Sequence, residues 1–179
     1  MTMTGQTMND PGFVRDAVRQ FEGPLTRYAA RLLGDADRAR DVVQEAFLRL
    51  CAQDRAEVEP RLAEWLFTVC RNRSLDVLRK ESRMTQLTDL QVGARTSPAP
   101  APDEAAAHKE AAAKVVDLLD RLPQNQREVI RLKFQEGFSY KEISRISGHS
   151  VTNVGYLIHV GIKTLRGQLA DGLAADARL

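Results

Sequence analysis

The chain is predicted to be all-α, with two small helical domains joined by a flexible linker and a helix-turn-helix closing the second. Three observations predict this. Apolar residues recur at helical spacing along 179 residues, without strand-like alternation. Near the middle, Ser97-Pro98-Ala99-Pro100-Ala101-Pro102 breaks the pattern with a stretch that can anchor in no core. Between Phe138 and Arg166, helix-capping residues and a glycine fall at the spacing of two helices joined by a tight turn. These breaks divide the chain into 1–83, a linker over 84–107, a second domain over 108–168, and a tail over 169–179.

In the first domain, Phe13, Ala17, Val18, Phe21, Leu25, Tyr28 and Leu32 have the spacing of one or two core-facing helices around Gly23-Pro24. Gly34-Asp35 makes a break, and a helix is expected again from Asp37 to Leu50. Here the periodicity separates two faces. Val43, Ala46, Phe47 and Leu50 form an inward stripe, while Asp41, Gln44, Glu45 and Leu48 share another face at i, i+3, i+4 and i+7. That mixture of acid, amide and leucine suits docking of a basic partner, and equally suits a solvated face with one leucine. A polar loop around Asp54 to Pro60 precedes a long helix from Leu62 to Arg83. Leu62, Trp65, Leu66, Val69, Cys70, Leu75 and Leu78 can pack inward there, leaving Arg71, Asn72, Arg73, Asp76, Arg79 and Lys80 on the polar side.

Charge is segregated although the net value is only +2. From Arg61 to Arg83, Arg61, Arg71, Arg73, Arg79, Lys80 and Arg83 face only Glu64, Asp76 and Glu81, an excess suited to a polyanion. Long donors with an interleaved amide can bind phosphates and base edges. Cys51 and Cys70 lie in apolar helical patterns and are expected to be buried thiols, and two cysteines make neither a disulfide framework nor a zinc site. His108, His149 and His159 are scattered without a partner carboxylate, so no catalytic residue, metal or cofactor is expected. No signal segment and no run of about 20 apolar residues is found, so the expected location is cytoplasmic, with no membrane insertion.

In the second domain, an alanine-rich helix is expected from Asp103 to Leu122, and Pro123 suits the first turn of the next. Val129, Ile130, Leu132 and Phe134 carry that helix to a stop at Gly137. Ser139 and Glu142 then have the spacing of a capping box, so a helix should start at Tyr140, with Ile143 and Ile146 inward. Gly148 offers a left-handed turn, and Ser150 an N-cap for a helix from Val151 to Arg166.

Taken in order, these pieces resemble the extracytoplasmic-function (ECF) sigma factors, two-domain members of the bacterial sigma-70 family. The marks are Gly34-Asp35 before Asp41-Val42-Val43-Gln44-Glu45-Ala46-Phe47-Leu48-Arg49-Leu50, then Trp65 and the Arg71-Asn72, Asp76, Arg79 series. They continue with Leu122-Pro123, Arg127-Glu128-Val129, Gly137-Phe138-Ser139-Tyr140-Lys141-Glu142-Ile143 and Gly148-His149-Ser150-Val151. The resemblance implies a non-enzymatic subunit that directs core RNA polymerase to promoters. Asp41, Gln44, Glu45 and Leu48 would dock on core RNA polymerase. Arg71, Asn72, Arg73 and Arg79 would contact the minus-10 promoter DNA, Asp76 would orient those arginines, and the loop before them would capture an extruded base. In the second domain, Ser150, Thr152, Asn153, Tyr156, His159 and Lys163 would contact the minus-35 element. An anti-sigma factor is a further implied partner.

One departure stands out. Where the family pattern has basic residues on the last helix, this chain has Gly155, Leu157, Val160 and Ile162. Tyr156, Leu157, Val160 and Ile158 could then form an exposed face for a protein partner, or Leu157, Val160 and Leu165 could be the core of the domain. A third alternative is a short element read by Asn153, Tyr156 and backbone amides.

Overall fold

The computed structural model describes residues 10–87 and 116–176, all helix and turn, in two compact units. The expected linker and the beginning of the alanine-rich helix lie mostly outside the described residues. In the first unit α1 (Pro11–Leu33), α2 (Ala36–Cys51), a short α3 (Arg55–Val58) with a 3-10 turn at Glu59–Arg61, and α4 (Leu62–Leu87) follow in order. The second unit holds α5, described over residues 116–120, then α6 (Gln124–Phe134), α7 (Tyr140–Ser147) and α8 (Val151–Asp176).

Helix α1 is one continuous helix with Pro24 inside it, capped by the Asp10 carboxylate and closed by Gly34 at φ 69°. Only glycine adopts that left-handed backbone without strain. The cap and turn let the chain reverse at once into α2, whose first amides, of Asp37 and Arg38, donate to the Asp35 carboxylate. Helices α1, α2 and α4 all pack on one another. Leu25, Ala29 and Leu33 of α1, Val43, Ala46 and Leu50 of α2, and Leu66, Phe67 and Cys70 of α4 are all buried in the core. The Tyr28 and Phe67 rings lie 5.2 Å apart, tilted, within it. The inward face of α4 is thus Leu66, Phe67, Cys70 and Ser74, whereas Trp65, Val69, Leu75 and Leu78 are only half-buried. Burial pushes the Cys70 thiol up to about 12, so it stays protonated, while Cys51 is only half-buried.

Three boundaries differ from expectation. The loop at Asp54 to Pro60 is instead helical: Asp54 accepts from the Ala56 amide, Arg55 forms a two-point pair with Glu59 at 2.7 and 3.0 Å, and Val58 is buried. An Arg55 guanidinium 4.9 Å above the Phe13 ring ties this turn to α1. Helix α4 runs four residues into the expected linker, to Leu87, with no glycine or proline between Arg83 and Leu87 to stop it. Likewise α8 does not end at Arg166. It passes through Gly167 and much of the expected tail to Asp176, since one interior glycine costs a helix only about 1 kcal/mol.

In the second unit, α6 and α7 both pack on α8. Leu122, Val129, Leu132, Ile143, Ile146, Val154, Leu157 and Ile158 make the core. Phe134, expected to extend the apolar face of α6, is exposed instead. Asp120 holds Arg131 at 2.8 Å and Arg127 at 3.4 Å, joining the end of α5 to α6.

Candidate functional site

The turn between α7 and α8 is built by local chemistry. Ser139 Oγ accepts from the Glu142 amide while the Glu142 carboxylate accepts from the Ser139 amide at 2.7 Å, a complete capping box. Hydrogen bonding to the carboxylate from Ser139, its hydroxyl contributing more than its amide, holds the Glu142 carboxyl below the usual glutamate range. Gly148 ends α7 at φ 76°, Ser144 donates to the His149 carbonyl at 2.6 Å, and Ser150 Oγ accepts from the Asn153 amide as the cap of α8.

Helix α8 then sorts its side chains into two faces. Val154, Leu157 and Ile158 are buried, and Gly161 lies against α6, where a Cβ would stand 2.5 Å from Ile130 Cδ1. On the other side Ser150, Thr152, Asn153, Tyr156, His159 and Lys163 are all exposed, and Thr152, Tyr156, His159 and Lys163 follow one another at i, i+4, i+7 and i+11. This decides how the apolar residues of α8 are used. Leu157 and Ile158 belong to the core, Val160 is half-buried, and no continuous apolar face of Tyr156, Leu157, Ile158 and Val160 exists. Tyr156, 63 % exposed, is the large aromatic on the open face. Although Ser150 serves as a cap, its hydroxyl proton remains available to a phosphate.

In the first unit, Asp41, Gln44 and Leu48 of α2 point to solvent, and Leu48 is 70 % exposed. Glu45 shares their face but is not free, because Arg49 donates to it at 2.9 Å and Arg73 of α4 also donates to it. A second ion pair, Arg38 with Glu81, ties the same two helices. Between the pairs lies a cavity of about 310 Å³, where Asp41, Glu45 and Glu81 face Arg38 and Arg73. Of the expected DNA-contacting residues, Asn72 and Arg79 are exposed, Arg71 and Arg73 half-buried. Arg79 lies 3.5 Å from Asp76. Glu64, counted with the charged residues of α4 by its sequence, is buried.

Set against known proteins, residues 17–84 match the Sigma-70 region 2 model and residues 112–165 the Sigma-70 region 4 model. The chain is 31 % identical over 173 residues to the ECF RNA polymerase sigma factor SigL of Mycobacterium tuberculosis, spanning 94 % of this chain and 96 % of that one. It belongs to the ECF RNA polymerase sigma factors. A second relative of this sigma factor, EcfG of Rhodopseudomonas palustris, is 34 % identical over 142 residues, covering 79 % of this chain and 76 % of EcfG. In fold, it is similar to the sigma factor RpoE solved with the anti-sigma factor NepR from Bartonella quintana, at a TM-score of 0.66 and 23 % identity, over 87 % of this chain and 96 % of that one. With region 2 covering α2 and most of α4, and region 4 covering α7 and much of α8, each polar face described above falls within a sigma region.

Among the described residues no cluster of histidine, cysteine and acidic side chains could hold a metal ion. No helix among them is long and apolar enough to cross a membrane.

Proposed function

We propose that this ECF sigma factor docks on core RNA polymerase through Asp41, Gln44, Glu45 and Leu48 of α2, grips minus-10 DNA with Arg71, Asn72, Arg73 and Arg79 of α4, and reads the minus-35 element from α8. It is an alternative sigma factor, binding core polymerase and promoter DNA and directing transcription initiation, with no catalytic step of its own. Residues 1–83 carry docking, minus-10 recognition and melting, 108–168 carry minus-35 recognition, and the cytoplasm is where these partners meet. The observation that carries the docking role is Leu48. A leucine 70 % exposed beside Asp41, Gln44 and Glu45 gains little from the fold and about 1–2 kcal/mol when a partner covers it.

On α8, Asn153 has the amide geometry to read adenine, Lys163 supplies a phosphate contact, and Ser150, Thr152, Tyr156 and His159 fill the surface between. The few cations there imply weak intrinsic affinity, since Lys and Arg contacts to phosphate dominate sequence-independent binding. Attachment to polymerase supplies the rest, by raising the effective concentration of the helix at its site. The Asp54–Arg61 turn takes a base unstacked from the melted strand, at a cost of a few kcal/mol offset by contacts in the turn. An anti-sigma factor is a further partner, supported by the RpoE relative having been solved with one.

Asp41→Lys together with Leu48→Asp tests the docking role. Both side chains are exposed, so the helical content should not change. Association with core polymerase should be lost while duplex-DNA binding by the free protein is retained. Undiminished core association would overturn the docking assignment.

A further inference from the structure

The open side of α8 begins with uncharged residues, and the inference below rests on the proposed reading of DNA by that helix. From its Ser150 cap to Tyr156 the helix carries no charged side chain. Val151 is 44 % exposed and Tyr156 63 %, and Thr152 is exposed as well. Thr152 and Tyr156 are four residues apart, which puts a methyl group and an aromatic ring on one stretch of surface. Gly155 extends that stretch. With no side chain there, the Tyr140 ring of α7 closes on α8, and a Cβ at Gly155 would stand 3.6 Å from Tyr140 Cε2, an ordinary contact. Lys133 of α6 holds the ring, its amine 5.6 Å from the centroid, and Tyr140 stays 40 % exposed.

Such a surface is poor in what phosphates need and suited to what one base alone offers. In the major groove thymine presents a C5 methyl group, to which threonine methyl and aromatic groups make apolar contact. The first turns of a recognition helix are the part that reaches base edges. Because the apolar groups are interleaved with Asn153 and His159, they match single methyl groups set among polar base edges better than the continuous apolar patch of a protein. A run of A·T pairs serves both kinds of residue, its adenines the Asn153 amide and its thymines the apolar groups. We propose that Thr152 and Tyr156, flanked by Val151, are specificity-determining residues that seat thymine C5 methyl groups in the minus-35 element. The helix thereby recovers by apolar burial part of the affinity it lacks in cations, about fourfold for each methyl group covered.

The test uses the full chain and a fluorescent duplex pool with about 12 randomised base pairs, a little over one helical turn. Sequences retained by the chain are amplified once with thymidine triphosphate and once with deoxyuridine triphosphate, so that the two products differ only in the C5 methyl groups. The thymine duplex should bind about threefold to fivefold more tightly than the uracil duplex, the weight of one buried methyl group. Thr152→Ser keeps the hydroxyl and removes the methyl, and Tyr156→Ser removes the ring. Both positions are exposed, so the fold is kept, and the double variant should bind the two duplexes alike. Equal binding by the unaltered chain overturns the proposal and gives the surface to an apolar protein partner. A preference for thymine that survives in the double variant overturns it too. Lys163→Ala separates this contact from DNA reading by α8 as a whole, and should weaken both duplexes by the same factor. If neither Lys163→Ala nor the double variant changes binding of either duplex, α8 does not touch DNA and both readings fall. If Lys163→Ala weakens binding while the two duplexes never differ, α8 still reads DNA and the methyl contact alone is overturned.

Discussion

Gly161 is where α8 is seated on α6, and its replacement has a magnitude that follows from the geometry. A Cβ there would stand 2.5 Å from Ile130 Cδ1 and 3.5 Å from Gln126 Cβ. The second distance is an ordinary contact, whereas the first falls about 1 Å short of the favourable carbon–carbon separation. Gly161→Ala gains about 1 kcal/mol of helix propensity and loses about 1–3 kcal/mol by overpacking against an isoleucine 5 % exposed, a net loss of about 1 kcal/mol. Ile130→Val removes the clashing methyl at a cost of about 1 kcal/mol by itself. In that background the alanine should stabilise, because only its helix propensity remains, so the two substitutions couple by about 2 kcal/mol. Native-state hydrogen exchange of the α6 and α8 amides in the full chain reports the opening free energy of this unit alone. Effects that add to within about 0.5 kcal/mol would refute the close approach.

Other outcomes follow from the same geometry. Lys163→Ala should weaken binding to all duplex DNA sequences about equally and lower the salt slope by about 0.9, measured by fluorescence anisotropy, whereas Asn153→Ala should relax specificity at one base position. Ser139→Ala removes the hydroxyl half of the capping box and should cost about 1 kcal/mol, seen as reduced protection of α7. The Glu142 carboxyl is held low by the same serine, so its stabilisation is complete above the unfolded value, about 4.3, and is lost as pH falls through the lower folded value. Melting temperature should therefore drop with acidification through that window, and Glu142→Gln should flatten the drop.

Local signals in the sequence carried the helix-turn-helix, because a capping box, a left-handed glycine and an N-cap serine act within three or four residues of each other. Both faces of α2 were legible for a related reason: its apolar and polar residues separate cleanly at helical spacing. The burial of Leu157 and Ile158 was not decidable, since only the approach of α6 distinguishes a buried stripe from a docking one. Gly161, the residue that allows that approach, gave no local sign of it. Phe67 escaped notice for a similar reason, its core role depending on Tyr28 39 positions earlier. The bond from Arg73 to Glu45 spans 28 residues and belongs to no helical repeat, so it emerged only when α4 was seen against α2. The helical turn at Asp54–Arg61 was hidden by its polar composition, although the Asp54 cap and the Arg55–Glu59 spacing were present.

Transcription from genomic fragments by purified core polymerase, with and without this chain, tests the central claim most directly. With the chain present, transcripts should start at a restricted set of sites that share two upstream elements at constant spacing. They should disappear when Asp41→Lys and Leu48→Asp abolish docking. Core association without any promoter-dependent transcript would contradict the account.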